Sequence, residues 1–222
     1  MSQHPEIIAA PLTIWIAPVG TAFPEMTAEP GAPWVMLGTN GARNYAGTGV
    51  VVEHQRQWTS PPPPAGATAT NVVMLESEDM RLRVELLDLA LEQYSFVLGS
   101  NEITATPRLP GVAGTRAIGL SIGAGNVPEF ALLARGPSPY VAGLLSQYQV
   151  PRCCEAGSPS LSRRKGIPAG LSIDLRVLPD PAATSEAERF GRLIAQDSTA
   201  IVPITHEDGR FLLTSNDLIL EI

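Results

Sequence analysis

The stretch Met80–Gly99, MRLRVELLDLALEQYSFVLG, switches its hydrophobic period midway and limits the architecture more than any other segment. Met80, Leu82, Val84 and Leu86 alternate with Arg81, Arg83 and Glu85, the pattern of a strand with one buried face. From Leu87 the apolar residues Leu87, Leu91, Tyr94 and Leu98 recur at helical spacing, with Ala90 and Val97 beside them. Gly99 then supplies a stop that tolerates a left-handed backbone. The spacing predicts a strand that feeds, almost without a loop, into a short helix over about 87–98. No catalytic motif accompanies this junction, so it reads as architecture.

Composition points the same way. The chain has 222 residues, among them 20 glycines and 21 prolines, which favours short strands and many turns over long helices. Charged residues are 17%, below the roughly 25% usual for soluble domains. A surface so sparsely charged fits either coverage by partners or an ordinary low-charge domain. The net charge of −7 argues against a surface that grips phosphates, which needs clustered Lys and Arg. The one basic cluster, Arg163-Arg164-Lys165, is too short to reverse this and reads as a solvated loop. Cys153 and Cys154 are adjacent, form no CxxC and fit reduced thiols. The N-terminal sequence lacks a basic start and a long apolar run, and no stretch approaches the ~20 apolar residues of a membrane helix. A soluble protein made in the cytoplasm is expected.

Along the chain, Leu12–Ala17 and Trp34–Leu37 read as short strands, and Val50–Trp58 as a strand of mixed polarity. Pro61, Pro62, Pro63 and Pro64 open a small-residue loop over 59–70, since prolines cannot pair inside a sheet. Residues 50–86 therefore read as a long two-strand arm with a protruding tip, and the acidic run Glu76, Glu78 and Asp79 just before the Met80 strand reads as a solvated bend rather than an ion site. Arg116–Ile122, Phe130–Ala134, Leu144–Val150 and Leu171–Val177 are further strands, with a loop over 151–169. Pro179 and Pro181 end a first domain, 1–181. Residues 182–222 form a C-terminal extension. Ser185 and Glu188 resemble a capping box for a short helix carrying Phe190, Leu193 and Ile194. A hairpin comes next, turning at Glu207-Asp208-Gly209, and Asp217–Ile222 is a candidate last strand.

Candidate chemistry is thin. Gly119-Leu120-Ser121-Ile122-Gly123 matches the G-x-S-x-G nucleophile elbow, and Asp174 and His206 come after it in hydrolase order. Yet Ser121 sits in an alternating strand, and the next residues, GAGNVPEF, contain proline and have no helical pattern. His4, His54 and His206 are scattered and do not suggest a metal site. Trp15, Trp34 and Trp58 read as core or interface anchors. No cofactor is expected, and the chain reads as a non-enzyme.

The strand running into Glu85-Leu86-Leu87-Asp88-Leu89-Ala90-Leu91-Glu92-Gln93-Tyr94 and ending in Leu98-Gly99, behind a β arm with a long loop, resembles the major tail tube proteins of long-tailed (siphovirus-like) bacteriophages. Pro33-Trp34-Val35-Met36-Leu37-Gly38 is similar to that family's W-x-x-L-G opening, and Gly166-Ile167-Pro168-Ala169-Gly170 to its lead into the late strand Leu171–Val177. The similarity covers roughly residues 10–180.

The resemblance implies a mainly β protein: an antiparallel β-sandwich or barrel flanked by a short helix, with a long β-hairpin arm and the C-terminal extension. It implies homohexameric rings stacked into a hollow tube in the virion tail, assembled in the host cytoplasm. The partners implied are further copies of itself, the tape measure protein, the tail terminator and distal tail proteins, with DNA passing through the lumen without specific binding during ejection. Trp58, Pro61, Pro62, Pro63, Pro64, Arg81 and Arg83 are then candidates for contacts between subunits or rings, as are residues 1–11. Glu53, Glu76, Glu78 and Asp174 are candidates for an acidic lumen. Arg81 and Arg83 depart from an acidic wall: either their face meets a neighbouring subunit, or they pair with Glu53, Glu85 or Asp174. A tail terminator or secreted hexameric tube component is the neighbouring reading. A small serine hydrolase using Ser121 and a β-barrel ligand-binding protein are readings of another class. On the tube reading, deleting residues 60–70 leaves a folded monomer by circular dichroism but blocks tube growth by negative-stain microscopy; normal tubes would remove the loop from the contact.

Overall fold

The computed structural model describes residues 10–60, 73–122, 127–141 and 143–197, with the backbone of 204–205, 211–215 and 218–220. In chain order the elements are β1 (Thr13–Pro18), β2 (Val35–Met36), β3 (Val51–Thr59), β4 (Met74–Leu86), helix α1 (Leu91–Val97), β5 (Ile103–Thr106), β6 (Thr115–Ile118), β7 (Glu129–Pro137), β8 (Leu145–Glu155), β9 (Leu161–Arg164), β10 (Ile167–Val177), β11 (Arg192–Ala195), β12 (Ile204–Thr205), β13 (Phe211–Ser215) and β14 (Leu218–Leu220). The protein is mainly β, with antiparallel sheets in a sandwich-like arrangement and one α-helix among the described residues. Nine strands form the main sheet in the order β2-β1-β7-β8-β10-β4-β3, with β11 added to β8 and β9 to β10. β5 and β6 pair with each other, as do β12, β13 and β14.

The sheet coils on itself, so strands far apart in its order share one core. Ile14 of β1 lies in one cluster with Leu82, Val84 and Leu86 of β4, Leu132 of β7, Val150 of β8 and Leu171, Ile173 and Leu175 of β10. The alternation in β4 and β10 explains this face. Met80, Leu82, Val84 and Leu86 are buried, as are Leu171, Ile173, Leu175 and Val177, while the residues between them face the other way. β1 and β7 are buried on both faces: Trp15, Ala17, Ala131 and Leu133 turn away from the main core and pack with Trp34 and Phe23 of the loop after β1. Buried Arg135 fastens that loop, donating to the carbonyls of Ala28 and Glu25 and, through Nε, to Gln147 Oε1 at 2.7 Å.

Tyr45 closes the coil. Its backbone bridges Leu86 of β4. Its hydroxyl donates to the Leu37 carbonyl at 2.8 Å and accepts the Ile14 amide of β1 at 3.2 Å. Burial pushes its phenol up to about 12.

The strand–helix junction is present, but the helix begins four residues later than its periodicity predicts. Leu87–Ala90 are held in a bend: the Asp88 carboxylate accepts from the Thr39 amide and from Asn44 Nδ2, and the Leu87 amide donates to the Asn44 carbonyl. The Ala90 amide donates to Gln93 Oε1, which satisfies one free group at the helix start. At the far end Gly99 takes φ 79°, and the Ser100 amide closes on the Ser95 carbonyl at 2.8 Å.

Two further expectations are corrected. Residues 151–169 are not one loop: β8 runs through to Glu155, and β9 and β10 form a hairpin beyond it. Pro151 is accommodated where the β7–β8 register shifts between Phe130 and Leu132, a position that needs no ladder donor. Cys153 is thereby buried in the core and Cys154 is half-buried, both as free thiols. The helix read from the Ser185 cap through Gln196 is instead a short 3-10 turn, Glu186–Glu188, then strand β11 on β8, and Ser185 makes no side-chain cap. Gly191 permits this at φ 101°, where any Cβ would collide with the Gln149 carbonyl. The main sheet therefore includes residues beyond 181. In the same region β12 pairs with β13 and β13 with β14, as a hairpin plus a last strand.

Tyr45→Phe is expected to cost about 1–3 kcal/mol in chemical denaturation, because the buried Ile14 amide and Leu37 carbonyl lose their partner. Since the folded pKa lies above the unfolded value, wild-type stability from this group is intact below about pH 10 and is lost as pH rises toward 12. The Phe variant loses that alkaline slope.

Candidate functional site: the arm and its ion-paired face

β3 and β4 pair antiparallel from Val51↔Arg83 out to Thr59↔Met74, so the arm extends well past the core. At its end Trp58 is 55% exposed, Val73 62%, Met74 56% and Leu75 44%, an apolar tip with no cover in the monomer among the described residues. Glu76 is the extra residue of a bulge between Gln57↔Ser77 and Trp58↔Leu75. The acidic run is thus part of the strand, not a bend before it. β3 is the outer strand of the sheet, pairing only with β4 among the described residues. Pro61, Pro62, Pro63 and Pro64 lie outside the described residues, as do residues 1–9, His206 and the Glu207-Asp208-Gly209 turn.

The outward side chains of β3, β4 and β10 form a ladder of shared carboxylates. Asp174 Oδ2 accepts from Arg81 Nη1 at 3.3 Å and from Arg83 Nε at 3.2 Å. Arg83 Nη1 also reaches Glu53 at 2.9 Å. Asp79 accepts from Arg81 Nε at 3.1 Å and Arg176 Nε at 3.0 Å. The register causes this: Asp174 stands opposite Arg83, Arg176 opposite Arg81, and Glu53 opposite Arg81 and diagonal to Arg83. Arg81 and Arg83 therefore pair with Glu53, Asp79 and Asp174 within the subunit. Asp79 and Arg176 are not site candidates on sequence grounds. Extending the two-residue alternation of β4 back past Met80 is the signal that puts Asp79 on the arginine face.

Glu78 lies on the other face. It accepts from Arg56 Nε at 3.1 Å and from Arg189 Nη2 at 3.0 Å, and Arg189 in turn stacks over Phe190. Desolvation opposes its charge, but the hydrogen bonds from the two arginines outweigh it and hold its carboxyl below the ordinary range. The four acidic candidates thus divide: Glu53 and Asp174 on one face, Glu78 on the other, and Glu76 exposed at the bulge.

Beside the ladder an open cavity of about 420 Å³ lies between β3, β4, β10 and the turn after β8. Glu155 lines it, accepting from the Gly157 amide at 3.1 Å and the Asp174 amide at 3.4 Å. Burial, with the nearby Asp174 charge as a lesser cause, pushes the Glu155 carboxyl up. Asp174 Oδ1 is buried with no hydrogen-bond partner among the described residues.

Ser121 lies exposed in a bend beyond β6, which ends at Ile118, and its carbonyl accepts from Asn101 Nδ2. The acid that comes after it in hydrolase order, Asp174, is held by Arg81 and Arg83. His54 is exposed on β3. Among the described residues no three His, Cys, Asp or Glu side chains converge on a metal-binding position. No protein-family model matches the sequence, and no curated protein matches it.

Asp174→Asn is expected to lower stability by about 1 kcal/mol in urea denaturation, since these pairs are partly solvated. The difference should shrink in about 1 M salt, where charges are screened within a few ångströms; a salt-independent loss would assign the effect to packing.

Proposed function

We propose that this chain is a structural subunit that assembles with copies of itself into rings and a tube, in the manner of a phage tail tube protein that conducts DNA. The observation that carries the reading is the arm: a two-stranded extension with an outer edge open to pairing and the apolar tip Trp58, Val73, Met74 and Leu75 exposed. A strand edge of this length is an aggregation hazard unless a neighbour covers it, and closure of a sheet across subunits removes it. Val35, Met36, Leu109, Val112, Leu120 and Ile122 add exposed apolar surface elsewhere, as expected where several neighbours touch one subunit.

Electrostatics support the same reading. The net charge of −7 disfavours tight binding of a passing polyanion. The arginines of the strand face are neutralised internally by Glu53, Asp79 and Asp174 and offer no free row of cations to phosphate.

Purified protein at increasing concentration is expected to form rings or tubes by negative-stain microscopy and by sedimentation, with Trp58 fluorescence shifting to the blue as the tip is covered. A strictly monomeric protein across that range would sink the reading. Trp58→Ser should raise the concentration needed for assembly by at least tenfold while changing monomer stability by less than about 0.5 kcal/mol, as an exposed residue should.

A further inference from the structure

We propose that the free edge of β11 takes an extended segment of a second polypeptide as an added strand, with an acidic side chain of that segment held by Arg56 and Arg192. The slot belongs to the monomer and does not depend on the self-assembly reading.

The registers open this edge. β7 pairs along β8 from Leu145 to Cys154, so β10 and β11 share the opposite edge of β8. β10 ends there at Val177↔Cys153, and β11 takes up the same line at Arg192↔Gln149. On its other side β10 pairs with β4, but only as far as Arg176↔Arg81; from there β4 runs on to Met74 with β3 as its partner. In a continuous sheet the outer half of β4 would pair with β11. Among the described residues it does not, and a cavity of about 410 Å³ opens between the two. The Gln196 amide donates to the Leu145 carbonyl at 2.9 Å. By antiparallel alternation Ile194 and Arg192 then bond to β8, and Leu193 and Ala195 turn their N–H and C=O to the open side.

The cavity selects the charge of the occupant. Arg56, Arg189 and Arg192 line it against Glu78 and Glu186. Both acids are already engaged: Glu78 accepts from Arg56 Nε and Arg189 Nη2, and Glu186 from Arg189 Nη1. Arg192 Nε donates to Gln149 Oε1 at 2.8 Å. Arg56 and Arg192 are thus each fixed through Nε, while their Nη groups have no partner among the described residues. Guanidinium groups anchored in this way present forks that match a carboxylate.

Edge and cavity together identify a polypeptide rather than a free anion. An extended chain satisfies the outward groups of Leu193 and Ala195, and every second side chain of it points to the cavity side. One such side chain meets the arginines, and the next on that side meets the apolar floor of Met80, Tyr148 and Leu193.

The probe is a short fluorescein-labelled peptide that alternates valine with glutamate and threonine, titrated against dilute protein and read by fluorescence anisotropy. Saturable binding is expected, weakened by roughly tenfold or more when lysine replaces glutamate in the peptide and in the Arg56→Ala, Arg192→Ala double variant. Arg192→Lys, which keeps the charge but loses the fork, should fall between wild type and the double variant. N-methylating one alternate set of peptide amides should abolish binding, and methylating the other set should spare it, because only one set faces β11. Absence of saturable binding, equal binding of the lysine peptide, or indifference to which amides are methylated would overturn the inference. So would a single-stranded oligonucleotide that displaces the peptide and binds more tightly through the same arginines, which would make the site one for phosphate. Peptide binding by a protein that never forms rings would leave the slot standing while the subunit reading falls; rings from a protein that binds no peptide would do the reverse.

Discussion

The fold depends on the closure made by Tyr45. A sheet of nine strands has two edges and two faces, and this one buries its core only by coiling until β1 approaches β4. The Tyr45 hydroxyl joins the Ile14 amide to the Leu37 carbonyl, while its backbone pairs with Leu86. One residue thus satisfies buried polar groups on one side of the seam and extends the ladder on the other. Burying such groups unpaired would cost more than a single hydrogen bond contributes, so the seam is held by necessity as much as by attraction.

With the coil closed, β4 performs two tasks along its length. Its inner half alternates between core and charged ladder, and its outer half leaves the core behind and carries an apolar tip into solvent. The shared carboxylates Asp79 and Asp174 stiffen the transition by tying β4 to β10 on the solvent side. A rigid base and a tip exposed among the described residues suit the proposed assembly, which would give that tip a partner.

Much of the fold is legible in the sequence because period-two alternation has few interpretations. The alternation in Leu171–Val177 and Met80–Leu86 assigns their buried faces correctly, and the paired strands of the arm are visible as two strand patterns flanking four prolines. The departures share a physical cause: distant partners overrule local propensity. Leu87–Ala90 has helical spacing but is held in a bend by Thr39 and Asn44 acting on Asp88. Phe190–Gln196 has a helical pattern, yet its Arg192–Ala195 segment pairs with β8. Pro151 suggests a loop, yet a register shift in β7–β8 absorbs it.

The sequence by itself determined which residues face the core along Met80–Leu86 and Leu171–Val177 and that the molecule is built mainly from strands, because side-chain alternation and turn residues act locally. It left open whether Arg81 and Arg83 face a neighbour or an internal acid. Only the tertiary structure decided that, since pairing depends on the register of β10 against β4, which places Asp174 beside both arginines although about ninety residues separate them. The same register leaves Asp174 with one buried oxygen, without a described partner, at the edge of a cavity, a feature that no linear pattern encodes.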